Sequence, residues 1–102
     1  MYVSLKNPEI LNYGKVKNMD KRKFKSIVKE GIDRGKDFMI LKIKGEKDVN
    51  SRVVIVQKED IGPTTSRYLK YTDDNMIFKD SGDKVEDVLL TNNFNDLFWF
   101  VY

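Results

Sequence analysis

The chain has 102 residues, of which 34% are charged and 40% are hydrophobic, and its formal net charge is +3. It contains neither cysteine nor histidine, which excludes disulfides, thiolate chemistry and the commonest general base and metal ligand of proteins. This length predicts a single domain over residues 1–102. No apolar run reaches membrane-spanning length and the first residues lack the apolar core of a signal peptide, so we expect a cytoplasmic protein that does not bind membranes.

The positive charge is concentrated in the first half of the chain. Residues 1–51 contain 13 Lys/Arg and 7 Asp/Glu, a balance of +6, whereas residues 52–102 contain 6 and 9, a balance of −3. This asymmetry indicates either a basic face and an acidic face, or two halves that neutralise each other within one fold. The acidic segment 73–87 distinguishes these two interpretations, because it either neutralises the basic residues or leaves them free.

A helix beginning after Asp20 is the clearest element of the sequence. Asp20 is a favourable N-cap, and Gly35 stands where a glycine commonly ends a helix. Gly31 lies on the apolar side and would allow a strand to approach closely. The predicted buried stripe has helical spacing and consists of Phe24, Ile27, Val28 and Ile32.

Strands are predicted on both sides of this helix. Tyr2–Leu5 and Tyr13–Lys17 are short candidates before it, and Phe38–Lys44 follows it. Arg52–Gln57 is most simply paired antiparallel with Phe38–Lys44 across a turn. Gly62-Pro63 is interpreted as the end of that region.

The last third of the chain predicts a hairpin, a helix and a strand. Arg67–Thr72 and Met76–Lys79 flank a polar turn that is typical of hairpins. Asp83, with Glu86 three residues later, resembles a capping box and predicts a second helix. The aromatic segment Phe94–Tyr102 predicts a closing strand.

Together these elements predict an α+β fold. The expected architecture is a mostly antiparallel sheet of about five to six strands with two helices packed on it, in two layers.

The start of the first helix carries the strongest functional signal. Lys21, Arg22 and Lys23 oppose the positive end of the helix dipole, each at a cost of about 0.3–1 kcal/mol. Free N–H groups and cations at a helix start attract anions, which indicates a nucleic-acid backbone or an acidic protein face as partner. Alternatively, Asp73, Asp74 or Asp80 neutralises them. The candidate partner- or nucleic-acid-binding residues are Lys21, Arg22, Lys23, Lys25, Lys29, Lys42 and Lys44.

Catalytic patterns are missing from the sequence. There is no G-x-S-x-G or P-loop spacing, and the acidic positions do not match a calcium-binding loop. We therefore expect no enzymatic activity, no cofactor and no metal.

These observations favour a small non-enzymatic module that binds a macromolecular protein partner, as an inhibitor or adaptor of phage or mobile-element type does. Two alternatives remain. The basic helix from Lys21 to Lys29 could bind nucleic acid. The aromatic C-terminal strand could instead make the chain a structural or oligomeric subunit, for example a dimer paired through that strand.

Overall fold

A computed structural model describes residues 19–48 and 50–97. The predicted strands Tyr2–Leu5 and Tyr13–Lys17, and residues 98–102 of the predicted closing strand, lie outside the described residues. The described elements, in chain order, are α1 (Lys21–Asp33), β1 (Phe38–Lys44), β2 (Arg52–Gln57), α2 (Lys58–Tyr71) and β3 (Lys84–Thr91).

The three described strands form one antiparallel sheet with the order β2-β1-β3. The α+β class is therefore confirmed, and β1 and β2 have the bounds and the pairing that the sequence predicts. In the described ranges the sheet has three strands, so the predicted five to six are not confirmed.

Both helices contribute to a core on one face of the sheet. Alternate β1 residues Met39, Leu41 and Ile43 point into this core and are almost completely buried. α1 packs against β3, whereas α2 packs against β2 and β1. The described part of the fold is thus a layer of two helices on a layer of strands.

The structure confirms the ends of α1. The side chain of Asp20 accepts a hydrogen bond from the N–H of Lys23 at 2.7 Å, as expected of an N-cap. At the other end Gly35 has a φ of +71°, and the N–H of Lys36 donates to the carbonyl of Gly31. This is the Schellman arrangement that a C′ glycine permits.

The predicted buried stripe of α1 is partly wrong. Phe24 and Val28 are buried and Ile27 packs against the core, but Ile32 is 50% exposed. At 100° per residue Ile32 lies roughly 90° from the centre of the buried face, towards the solvent. Its apolar character alone therefore did not predict its burial.

The residues predicted as a loop and a hairpin arm form a helix instead. α2 continues through Pro63, and Tyr68 and Leu69 pack against the core from its second half. Gly62-Pro63 was misinterpreted as a break. A residue before proline avoids the helical region because the proline ring meets its backbone N–H and its Cβ, and Gly62 lacks the Cβ part of this clash.

β3 occupies residues that predicted the second helix. Val85 and Val88 are both buried although they are three residues apart, a spacing typical of helices. The register with β1 shifts between Lys42 and Ile43, leaving Glu86 as an extra residue. This β-bulge returns the valines to the same face, so helical spacing arises within a strand.

The polar residues interpreted as a capping box have other partners. Asp83 accepts a hydrogen bond from Arg52 at 2.9 Å, and Glu86 accepts one from the hydroxyl of Ser51. The first bond joins the residue before β3 to the first residue of β2, and the second joins β3 to the residue before β2. The predicted arm Met76–Lys79 contributes isolated bridges, including Thr72 with Phe78, rather than a full strand.

We predict that Gly31→Ala destabilises the fold by about 1–3 kcal/mol, as overpacking does. A Cβ at this position would lie within 3.0 Å of three side-chain atoms of Leu90, one of which is its Cβ and cannot move by rotation. Denaturant unfolding measures the effect. Ser26→Ala, on the exposed side of α1, is the control and should leave stability unchanged or slightly higher. An equally stable Gly31→Ala variant would contradict the close packing of α1 on β3.

Candidate functional site

The first cation of α1 has a structural partner. The Nζ of Lys21 donates hydrogen bonds to the carbonyl oxygens of Leu69 and Thr72, both at 2.9 Å. These carbonyls belong to the C-terminal end of α2, where a helix leaves carbonyls unpaired and its dipole is negative. A charge that is unfavourable at the start of α1 is therefore favourable at the end of α2.

A short turn holds the two helix ends together. The carboxylate of Asp73 accepts hydrogen bonds from the N–H groups of Asn75 at 2.8 Å and Ile77 at 3.1 Å. The bond from Ile77 is the main reason why the pKa of the Asp73 carboxyl lies below its ordinary value. The next carbonyl, of Asp74, accepts the N–H of Lys21 at 2.9 Å, which places α1 against the turn.

The backbone N–H groups at the start of α1 are largely occupied. The N–H of Lys21 bonds to Asp74, and those of Lys23 and Phe24 bond to the side chain and the carbonyl of Asp20. The sequence suggests free donors here for an anion. The fold uses most of them itself, so an anionic partner must rely on side chains.

Arg22 and Lys25 supply such side chains. Both are exposed, and neither forms an ion pair or a side-chain hydrogen bond within residues 19–48 and 50–97. They border an open pocket of about 600 Å³ between the start of α1 and the turn. The pocket is lined by Asp20, Lys21, Arg22, Lys25, Asp74 and Asn75.

The other cations of α1 lie on the same helix in different settings. Lys23 is exposed, and its N–H takes part in the N-cap. Lys29 forms a surface ion pair with Asp33 at 2.9 Å, with both side chains more than half exposed. Exposed pairs of this kind contribute roughly 0–1 kcal/mol, so Lys29 can exchange Asp33 for another acid at little cost.

The structure does not bring Lys42 and Lys44 together with α1. Both alternate with the core residues of β1 and therefore belong to the sheet face opposite the helices. Lys42 is paired in register with Asp87 and attracts its charge, and Lys44 is paired with Lys84. They form a separate set from Arg22, Lys25 and Lys29.

The acidic segment 73–87 forms no ion pair or side-chain hydrogen bond with Arg22 or Lys25 in the described residues, although Asp74 lines the same pocket. Asp73 holds its own turn, Asp83 pairs with Arg52 and Asp87 faces Lys42. The segment reaches α1 through the carbonyl of Asp74 and the attraction between Asp73 and Lys21. The two halves of the chain thus meet at Lys21, while the cations beside it stay exposed.

Two kinds of feature are missing from the described residues. Residues 19–48 and 50–97 contain no group of three or more Asp or Glu side chains placed to hold a metal ion. None of the helices in these ranges is long and apolar enough to cross a membrane.

Comparison with known proteins gave no relatives. No protein-family model matches the chain, and no match was found among curated proteins or among solved structures.

We predict that Lys21→Met destabilises the fold by about 1–3 kcal/mol, the usual range for losing hydrogen bonds from a charged group. The substitution keeps the apolar stem but leaves the carbonyls of Leu69 and Thr72 without this donor. Thermal and denaturant unfolding measure the change. Lys25→Met is the matched control and should shift stability by less than about 0.5 kcal/mol, because its ammonium has no partner in the described chain. Equal effects of both substitutions would contradict the role given to Lys21.

We predict that Asp87→Asn stabilises the protein at neutral pH. Burial raises the pKa of the Asp87 carboxyl to about 6 from 3.8, against the opposing effects of the Val88 N–H and of Lys42. The neutral Asp87 carboxyl therefore makes its full contribution to stability below about pH 4. This contribution is lost as the pH rises through 6. Because the side chain keeps some solvent contact, we expect a gain of only about 1 kcal/mol at pH 7.

The measurement is the unfolding free energy of both proteins between pH 4 and pH 8. The advantage of the asparagine variant should grow from about pH 4 to about pH 6 and then level off. Asparagine can still accept the N–H of Val88, so the local geometry is retained. An advantage that is the same at every pH would contradict the raised pKa.

Proposed function

We propose that this chain is a small non-enzymatic binding module that acts through a protein partner and contacts it with the exposed side of α1. One observation carries the proposal. Arg22 and Lys25 are exposed and unpaired within the described residues, although Lys21 beside them is bound to α2. Cations that form no bond with the described residues are available to an external acidic group.

The charges around these cations favour a protein over nucleic acid. Asp20 and Asp74 line the same pocket as Arg22 and Lys25. Duplex DNA carries one negative charge per roughly 1.7 Å of its axis, so a phosphate backbone crossing this pocket would also meet both carboxylates. An acidic protein segment can instead place its carboxylates beside Arg22 and Lys25 and uncharged side chains beside Asp20 and Asp74.

A module of this kind acts by covering a surface of its partner. Inhibitors and adaptors work in this way and need no catalytic group on the binding face. The nucleic-acid alternative depends on the same cations of α1, so one pair of variants tests both functions. The oligomeric alternative depends on the C-terminal segment, of which residues 98–102 lie outside the described residues.

We predict that the double variant Arg22→Glu/Lys25→Glu loses about tenfold or more in affinity for a labelled glutamate-rich peptide. Acids near a helix start are favourable, so the variant should fold at least as stably as the original chain. Fluorescence polarisation at about 50 and about 200 mM salt measures binding of the peptide and of single- and double-stranded oligonucleotides.

The matched control is Lys47→Glu/Lys79→Glu, which changes the net charge equally. Both lysines are exposed in turns and form no side-chain hydrogen bond or ion pair within the described ranges. This control should change the affinity less than about twofold. Equal losses in both variants would show that only net charge matters and would overturn the proposed site. Oligonucleotides that bind more tightly than the peptide and are released by Arg22→Glu/Lys25→Glu would establish the nucleic-acid function instead.

A further inference from the structure

An exposed isoleucine continues the line of cations on α1. Ile32 is 50% exposed, the largest exposure of an aliphatic side chain among the large hydrophobic residues of the described chain. Residues 22, 25, 29 and 32 are spaced by three, four and three, which places them on one side of a helix. We name Arg22, Lys25, Lys29 and Ile32 the α1 stripe. It extends about 15 Å along the helix axis.

The two ends of the α1 stripe differ in character. Its cations begin at the start of α1, and its apolar residue lies next to the helix end, one position before Asp33. Lys29 links the two parts, because its pair with Asp33 is exposed and readily exchanged. The stripe therefore presents positive charge at one end and an apolar side chain at the other.

We propose that the α1 stripe binds an acidic protein segment that carries an apolar side chain at one end. In this complex the acids face Arg22, Lys25 and Lys29, and the apolar side chain covers Ile32. The inference rests on the proposed function and specifies the partner. Charge complementarity selects the acidic part, and the exposed isoleucine selects the apolar part, since a phosphate backbone gives such a side chain no partner.

The two kinds of contact have different consequences for binding. Pairs between exposed charges speed association and weaken with salt. Burial of Ile32 against an apolar group is insensitive to moderate salt and mainly slows dissociation. Because the apolar contact lies at one end, it also fixes the direction in which the segment lies along α1.

The experiment uses two labelled peptides of about 15 residues with helical glutamate spacing, one with a terminal leucine and one with glutamine in its place. The full chain is compared with Ile32→Gln by fluorescence polarisation. The matched control is Ile55→Gln, because Ile55 is also exposed, at 43%, but lies on β2 on the sheet face opposite the helices.

We expect the original chain to bind the leucine peptide about three- to tenfold more tightly than the glutamine peptide. Ile32→Gln should abolish this difference, while Ile55→Gln should preserve it. If both peptides bind equally and only Arg22→Glu/Lys25→Glu weakens them, the inference is wrong and the proposed function stands. If neither peptide binds the original chain at millimolar concentration, both are overturned.

Discussion

The ammonium group of Lys21 connects the two helices of this protein. It lies at the positive end of α1 and binds the carbonyls of Leu69 and Thr72 at the negative end of α2. Unpaired carbonyls at a helix end need donors, and a lysine satisfies them with charge as well as hydrogen bonds. The start of α1, the end of α2 and the turn at Asp73 and Asp74 are therefore arranged around one side chain.

This arrangement explains why basic residues can begin α1. The dipole of α1 disfavours them, but the opposing dipole of α2 compensates for Lys21, and Asp20 adds a negative charge at the N-cap. Arg22 and Lys25 form no ion pair in the described residues, although Asp20 and Asp74 line the same pocket. Cations that no structural contact stabilises are most simply explained by binding. These two cations therefore carry the proposed function.

The sheet determines which charges can act together. Successive residues of β1 point to opposite faces, so Lys42 and Lys44 are separated from α1 by the core. Lys42 is paired in register with Asp87 and attracts its carboxylate, whose charge is disfavoured by burial. Of the predicted binding residues that the structure describes, Arg22, Lys25 and Lys29 share one side of α1, where Ile32 is also exposed.

The sequence alone determined the elements whose signals are local. The N-cap Asp20, the C′ glycine Gly35 and the β-rich run Phe38–Lys44 predict α1 and β1 correctly, because capping and alternation act over a few residues. The candidate binding cations of α1 are also visible in the sequence. The sequence does not show that Lys21 is bound, since its partners are two carbonyls about fifty positions away.

Tertiary structure decided the elements whose local signals conflict. Gly62-Pro63 favours a break, yet burial of Ile61 and the packing of Tyr68 and Leu69 on the sheet stabilise α2 through it. Val85 and Val88 have helical spacing, yet pairing with β1 and a bulge make them a strand. Pairing and packing with distant residues contribute more free energy than local propensity, so the sequence determined the helix start while the fold decided which charges stay exposed.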